Sequence, residues 1–389
     1  MLGDLWPVEF FENIKDDRIR SPLQKITDES LEELAYFETV LKDFGCKVIR
    51  PVIDQNDRIE NYIFTGTKKQ PDFRSRFVPR NALQPRDDQI VAGNTLYSTF
   101  SDNPSIVNGL KEYGEVCEFI HNQDTWISEN KYNEIAGADY PSYEYFIQNR
   151  HAPERFKDFI WQEISNLNLC IEGNFPTSAN SFFVGQDVYV DYTQILPYKR
   201  LQEIFPNSRI NVLDAGHTHH DGCFHPIKPG AILSIRGFQE YAETFPGWEV
   251  CYLQKDPEQS QLLRTSLNSN QGAWWVKGEE NNDSLINFID TWLNQWVGYI
   301  EESVFDVNVL VLDEHHVCVS SMKNEKLLKF LKKHKMEPIH IPWRHRYFWD
   351  GGLHCITLDL VREGTQQDYF PKRTQPIIMK ELINANGLY

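Results

Sequence analysis

The segment Gly-Gly-Leu-His-Cys-Ile-Thr at 351–357 puts a thiol where the backbone can be approached closely, because neither glycine carries a Cβ. On a strand over 353–361, alternation sends His354 and Cys355 to opposite faces. Such a cysteine acts as a nucleophile if its thiolate is favoured and a base stands nearby, and otherwise it is a buried structural thiol. A second segment, Gly-His-Thr-His-His-Asp-Gly-Cys-Phe-His at 216–225, gathers His217, His219, His220 and His225 with Asp221 and Cys223. Its spacing fits neither a helical His-Glu-x-x-His nor paired Cys-x-x-Cys sites, which argues against zinc. In a strand, His219 and Asp221 would share a face and could line one pocket as base and carboxylate; a polar loop is the other reading. Asp87, in Gln-Pro-Arg-Asp-Asp-Gln-Ile-Val-Ala-Gly-Asn (84–94), stands after a turn and before a strand, where a solvated acid is the ordinary finding. His315 and His316 fall at a hairpin tip and read as solvated.

The elements that must carry these residues recur along the chain. Residues 29–44 have helical apolar spacing with early acids and stop at Gly45, and 46–53 follow as a short strand. Residues 87–97 and 183–192 read as strand pairs, and 199–215 as helix, turn and strand. A helix over 282–296 precedes a strand pair at 307–321. Next come a helix over 324–336, whose cations fall late as the macrodipole favours, and strands at 337–343 and 353–361. About five units of strand pair, helix and strand without a linker predict one closed α/β domain over 1–389.

Composition narrows the partners. A formal charge of -17 over 389 residues argues against nucleic acid or an anionic membrane, both of which need a basic footprint. Seven cysteines without a Cys-x-x-Cys pair point to a reduced, cytoplasmic protein. Neither a signal peptide nor a spanning helix is predicted.

Taken in order, four segments resemble the glycine amidinotransferase family of the guanidino-modifying (pentein) superfamily. These are Pro-Arg-Asp-Asp-Gln-Ile-Val-Ala-Gly-Asn, His-His-Asp-Gly-Cys-Phe-His-Pro-Ile-Lys-Pro-Gly, the Asn-Val-Leu strand at 308–310, and the Gly-Gly-x-His-Cys-x-Thr-x-Asp end. The resemblance spans most of 29–371. It implies a pentein α/β-propeller, five ββαβ-type units around a pseudo-fivefold axis with the active site in the central channel. It also implies roles: Cys355 as nucleophile, His219 as general acid/base, Asp87 and Asp221 as carboxylates for the donor guanidinium, and Asn308 at the substrate. The activity implied is transfer of the amidino group of L-arginine to glycine or another amine, releasing L-ornithine, with no metal or organic cofactor. Many relatives are homodimers.

The chain departs from the family in places. Where the family has an Asp-x-x-Asp segment, Thr177 and Asn180 stand here, so Glu172 is the candidate to orient His219, with Asp187 the alternative. The family's carboxylate-binding arginine has no counterpart in register, and Arg236 is the nearby substitute. Gly216 replaces an asparagine ahead of the catalytic histidine, and 301–308 differs from the family's acceptor segment. The donor half is thus better retained than the acceptor half. Two readings compete with transfer: hydrolysis of the same adduct, as in arginine deiminases and dihydrolases, and an inactive pentein that serves as a binding protein.

Overall fold

Helix α1 (Asp17–Asp43) begins with its N-cap Asp16 accepting from Arg18 N. Pro22 lies inside it and cannot donate to the Arg18 carbonyl. Asn282 repairs that loss: its Nδ2 donates to Arg18 O at 2.7 Å while its Oδ1 caps the helix of 283–288 by accepting from Leu285 N. The computed structural model describes residues 1–61, 78, 81–93, 95–98, 103–113, 118–121, 177–191, 198–213, 219–235, 241–254, 276–293 and 304–377.

Four units of one design follow. The first has β1 (Gln89–Ala92), β2 (Thr95–Ser98), α2 (Pro104–Tyr113) and β3 (Glu118–His121). The second has β4 (Ser181–Val184), β5 (Asp187–Asp191), α3 (Tyr198–Ile204) and β6 (Arg209–Leu213). The third has β7 (Phe224–Lys228), β8 (Ala231–Ser234), α4 (Tyr241–Thr244) and β9 (Glu249–Tyr252). After α5 (Asp283–Phe288), the fourth has β10 (Leu310–Val311), β11 (His316–Val319), α6 (Glu325–Lys333) and β12 (Glu337–His340). In each, the first two strands pair antiparallel, and the third joins the second in parallel after the helical crossover. The parallel crossover explains the buried apolar runs: β5, β6 and β8 are covered on both faces, so Val188, Val190, Val212, Ile232 and Leu233 all lie in the core.

A short helical turn leads into each unit: Pro85–Asp88, Ser178–Asn180, His220–Cys223 and Phe305–Val307. The first touches the second, the second the third, and the third the fourth. Beyond the fourth, Asn308 is hydrogen-bonded to the turn at 353–356, and that turn is bonded back to Arg86 of the first. The inner turns therefore follow one another in a cycle.

The predicted strand at 353–361 is instead a turn, with one isolated antiparallel bridge between Thr357 and Leu2. Leu2 N donates to Ile49 O on its other side, so 46–53, expected as a strand, is bonded there without forming a regular ladder. The helix predicted from 29 starts at Asp17, and that predicted over 282–296 is α5 followed by a π-helical turn at Ile289–Leu293.

From Asp359 the chain straps across the second unit. Gln186 N donates to Gln367 O, and Val212 N donates to Ile377 O. Gly185, at φ +61°, has to be glycine, because a Cβ there would lie 2.0 Å from Gln367 O.

Candidate active site

Cys355 is built in from three directions. The two glycines before it make room for specific side chains: a Cβ at Gly352 would come 2.5 Å from Asn308 Oδ1, and one at Gly351 would come 2.6 Å from Gln84 Nε2. Neither neighbour is free to yield. Gln84 Nε2 is engaged by the carbonyls of Trp349 and Asp350, and Asn308 Oδ1 accepts from His354 N at 2.8 Å and from Cys355 N at 3.1 Å. Arg86, itself buried, closes the third side, with its Nε donating to His354 O and Thr357 O. Thr357 Oγ1 completes the turn by donating to Leu353 O and His354 O.

The sulfur is buried and sits among polar atoms. Asn308 Nδ2 donates to Sγ at 2.9 Å, and the thiol donates to Asp221 Oδ2 at 3.4 Å. The same Oδ2 accepts from His354 Nδ1 at 2.7 Å. Asp221 Oδ1 is buried and has no hydrogen-bond partner among the described residues. Burial, the largest single influence, works to raise the Asp221 pKa, but the His354 hydrogen bond together with the fields of the neighbouring His354, His219 and Arg86 lowers the carboxyl to about 2. His354 moves the other way for a base: burial, then the field of Arg86, push it below its ordinary 6.5, so it is neutral at neutral pH. Burial pushes His225 well below 6.5 too; its ring stands edge-on to His354 at 4.6 Å. Phe182 stacks on His354 and covers this aromatic group.

His219 is the N-cap of the turn at 220–223, and Asp221 lies inside that turn, so the two are not i and i+2 of a strand. His219 is partly exposed, and its Nδ1 lies 3.7 Å from Asp87 Oδ1. The fold thus brings Cys355, Asp221 and Asn308 together and sets His219 beside Asp87. Glu172 and Arg236 lie outside the described residues. Asp187 is fully buried in ion pairs with Arg209 and Arg373, which gives it a structural role and removes it as the orienting acid. His315 is exposed, and His316 pairs with Asp313 at the hairpin tip. Sequence reasoning missed His354, which shares a carboxylate oxygen with Cys355 because both lie on a turn and not on opposite strand faces. It also missed Arg86 as the buttress of that turn. The Pro-Arg-Asp tripeptide and the His-Cys dipeptide were the available signals. Among the described residues no cluster of three or more His, Cys, Asp or Glu could hold a metal, and no helix is long and apolar enough to cross a membrane.

Comparison with known proteins turns this geometry toward one chemistry. No family model matches the chain. It is similar to the mitochondrial glycine amidinotransferase of Xenopus laevis, 24% identical over 356 residues, covering 88% of this chain and 71% of the relative. It is also similar to the L-arginine:L-lysine amidinotransferase of Pseudomonas savastanoi pv. phaseolicola, 22% identical over 382 residues, covering 93% and 87%. Its curated relatives are amidinotransferases. The inosamine-phosphate amidinotransferase of Streptomyces griseus shares the fold, with a TM-score of 0.54 at 18% identity over 94% of this chain and 93% of that one. So does an amidinotransferase of the saxitoxin pathway from Microseira wollei, with a TM-score of 0.54 at 18% identity over 95% and 98%. The relatives support an enzyme of amidino transfer acting on small molecules, and the solved structures are consistent with a pentein fold.

Proposed function

We propose that the protein is an L-arginine:amine amidinotransferase that works through an amidino-cysteine on Cys355. The observation that carries this reading is the buried thiol flanked by Asn308 Nδ2 and by a carboxylate, Asp221, that keeps one oxygen unpaired among the described residues. A guanidinium is planar, cationic and a poor electrophile; carboxylates that hold its N–H groups by charge-assisted hydrogen bonds fix its plane and offset its charge. Asp221 and Asp87 are the carboxylates we assign to that task.

A sulfur held beside this plane can attack the guanidino carbon from above it. The thiol beside Asp221 is not a ready thiolate, because a neighbouring carboxylate disfavours a second negative charge. The arriving cation removes that obstacle: the thiol proton passes to His219, which then holds the proton the leaving amine needs, and Asn308 Nδ2–H is placed to stabilise the thiolate. In the first half-reaction Cys355 Sγ bonds to the guanidino carbon, the C–Nε bond breaks, and His219 gives a proton to the departing amine of ornithine. In the second, His219 takes a proton from the acceptor amine, whose nitrogen bonds to the amidino carbon as the C–S bond breaks and the thiolate returns. Asp87 is the described carboxylate beside His219, and Glu172 remains our assignment for a second acid orienting it.

We also assign the whole of 1–389 to one propeller-like domain. The support is the cycle of inner turns and the repeated unit. To a fifth unit we assign helix α1 with the segments around Thr357 and Ile49, a reading supported by the Thr357 bridge to Leu2 and the Leu2 N to Ile49 O bond. A reducing compartment, the cytoplasm, suits a thiol nucleophile.

The test is incubation with isotopically labelled L-arginine, with and without glycine, lysine and other amines, read by mass spectrometry. Ornithine that forms only with an amine, together with a new guanidino compound, is the expected result and names the acceptor. Citrulline, or ornithine formed without any amine, would make water the acceptor and refute transfer.

A further inference from the structure

Two of the described aspartates are completely buried, and their surroundings differ in kind. Asp187 is saturated: Oδ1 accepts from Arg209 Nε, Asn211 Nδ2 and Arg373 Nη1, and Oδ2 accepts from Arg209 Nη2. Two guanidinium groups cancel its charge. Among the described residues no arginine or lysine is bonded to Asp221, its Oδ2 is held by His354 Nδ1 and the Cys355 thiol, and its Oδ1 has no hydrogen-bond partner. A half-satisfied buried carboxylate is costly unless a ligand completes it.

We infer that His354 is a positioning residue for the amidino donor: its Nδ1–H holds Asp221 Oδ2 so that Oδ1 stays open for the guanidinium. The inference rests on the donor reading above and adds a residue to it. An arginine or lysine at 354 would tie down the same oxygen but would cancel the charge and repel the donor. An imidazole kept neutral by burial gives the hydrogen bond without the cation. The groups facing this ring are Asp221, His225, Arg86 and Asp359, and Arg86 opposes a second positive charge there. His354 is also the chain neighbour of the nucleophile, and Asn308 Oδ1 holds both of their amides. Setting the sulfur and turning the carboxylate are therefore one structural act.

The experiment measures binding, by calorimetry, of L-arginine and of its uncharged isostere L-citrulline to the full chain carrying Cys355→Ser, which cannot turn over. Adding His354→Leu should weaken arginine about tenfold or more, the scale of a lost hydrogen bond to a charged group, while citrulline changes little. Adding His354→Asn, whose side-chain N–H can reach the same oxygen, should restore arginine binding to within about threefold of the parent. With Cys355 intact, the His354→Leu loss should fall on KM for arginine more than on kcat. Equal arginine affinity in the parent and the folded His354→Leu variant would overturn the inference while leaving the donor reading in place. So would a His354→Asn variant as weak as His354→Leu, since ring volume and not the donor would then matter. If the Cys355→Ser parent itself failed to bind arginine, the donor reading would fall and this inference with it.

Discussion

Replacing Asn308 by alanine separates the two duties that the structure gives this side chain. Its oxygen accepts the buried amides of His354 and Cys355, and its Nδ2 donates to the sulfur at 2.9 Å and to Asp221 O at 3.2 Å. Leaving a buried N–H unpaired costs about 1–3 kcal/mol, so Asn308→Ala should lose roughly 2–5 kcal/mol of stability through the two amides. In a chain of this size that lowers Tm by several degrees. Loss of the hydrogen bond to a charged sulfur costs a further ~1.5–3 kcal/mol in the thiolate state, about a 10- to 100-fold drop in thiolate population. The assay is alkylation of Cys355 by iodoacetamide from pH 6 to 10, followed on the peptide by mass spectrometry, beside thermal melts of the same samples. Asn308→Asp separates the two effects. It keeps an acceptor for both amides and should recover much of the Tm, yet above neutral pH it offers the sulfur no donor and should stay slow to alkylate. An Asn308→Ala variant whose alkylation follows the wild-type pH curve would refute the assignment of Asn308 to the sulfur.

Cys355→Ala should abolish turnover yet leave arginine binding measurable by calorimetry; residual full activity would remove the covalent mechanism. Glu172→Gln should lower kcat about 100-fold in the labelled-arginine assay if this acid orients His219, and an unchanged rate would take it out of the site. Gly185→Ala should cost about 2 kcal/mol or more and make the strap at 359–377 sensitive to proteolysis, because its Cβ meets Gln367 O at 2.0 Å and its φ is +61°. Stability should fall as the pH drops below 6.5. His225 is neutral in the fold because burial lowers its pKa, so the unfolded chain takes up the proton first and gains about 1.4 kcal/mol per pH unit. His354 and His345, also lowered by burial, share that limb, so His225→Phe should reduce its slope without abolishing it in denaturant titrations, and an unaltered slope would contradict the assignment. Between about pH 4 and 2 a second loss should follow, as Asp221, lowered to about 2, gives up the advantage it holds above its unfolded value.

The repeating unit was legible because its signals are local. Alternation in Phe-Val-Gly-Gln-Asp-Val-Tyr-Val marks β4 and β5, and Asn324 with the late lysines marks α6. The site was legible only as a set of segments, through their likeness to a family, and the environment of Cys355 was not. Residues 353–361 have the composition of a strand, but Asn308, Arg86 and Thr357 divert their backbone bonds into a turn, and two of those three come from distant parts of the chain. Helix or strand propensity cannot register such partners, because they exist only after the inner turns have met. The same holds for the buried acids. Asp187 opens the second strand of one unit and Asp221 lies in the turn that leads into the next, and nothing in the flanking residues says which is neutralised. The difference arises from Arg373, which reaches Asp187 only when the strap has wrapped, and from His354, which reaches Asp221 without bringing a charge. Folding therefore separates a carboxylate that holds the scaffold from one that keeps an oxygen without a hydrogen-bond partner among the described residues, the one we assign to the donor guanidinium.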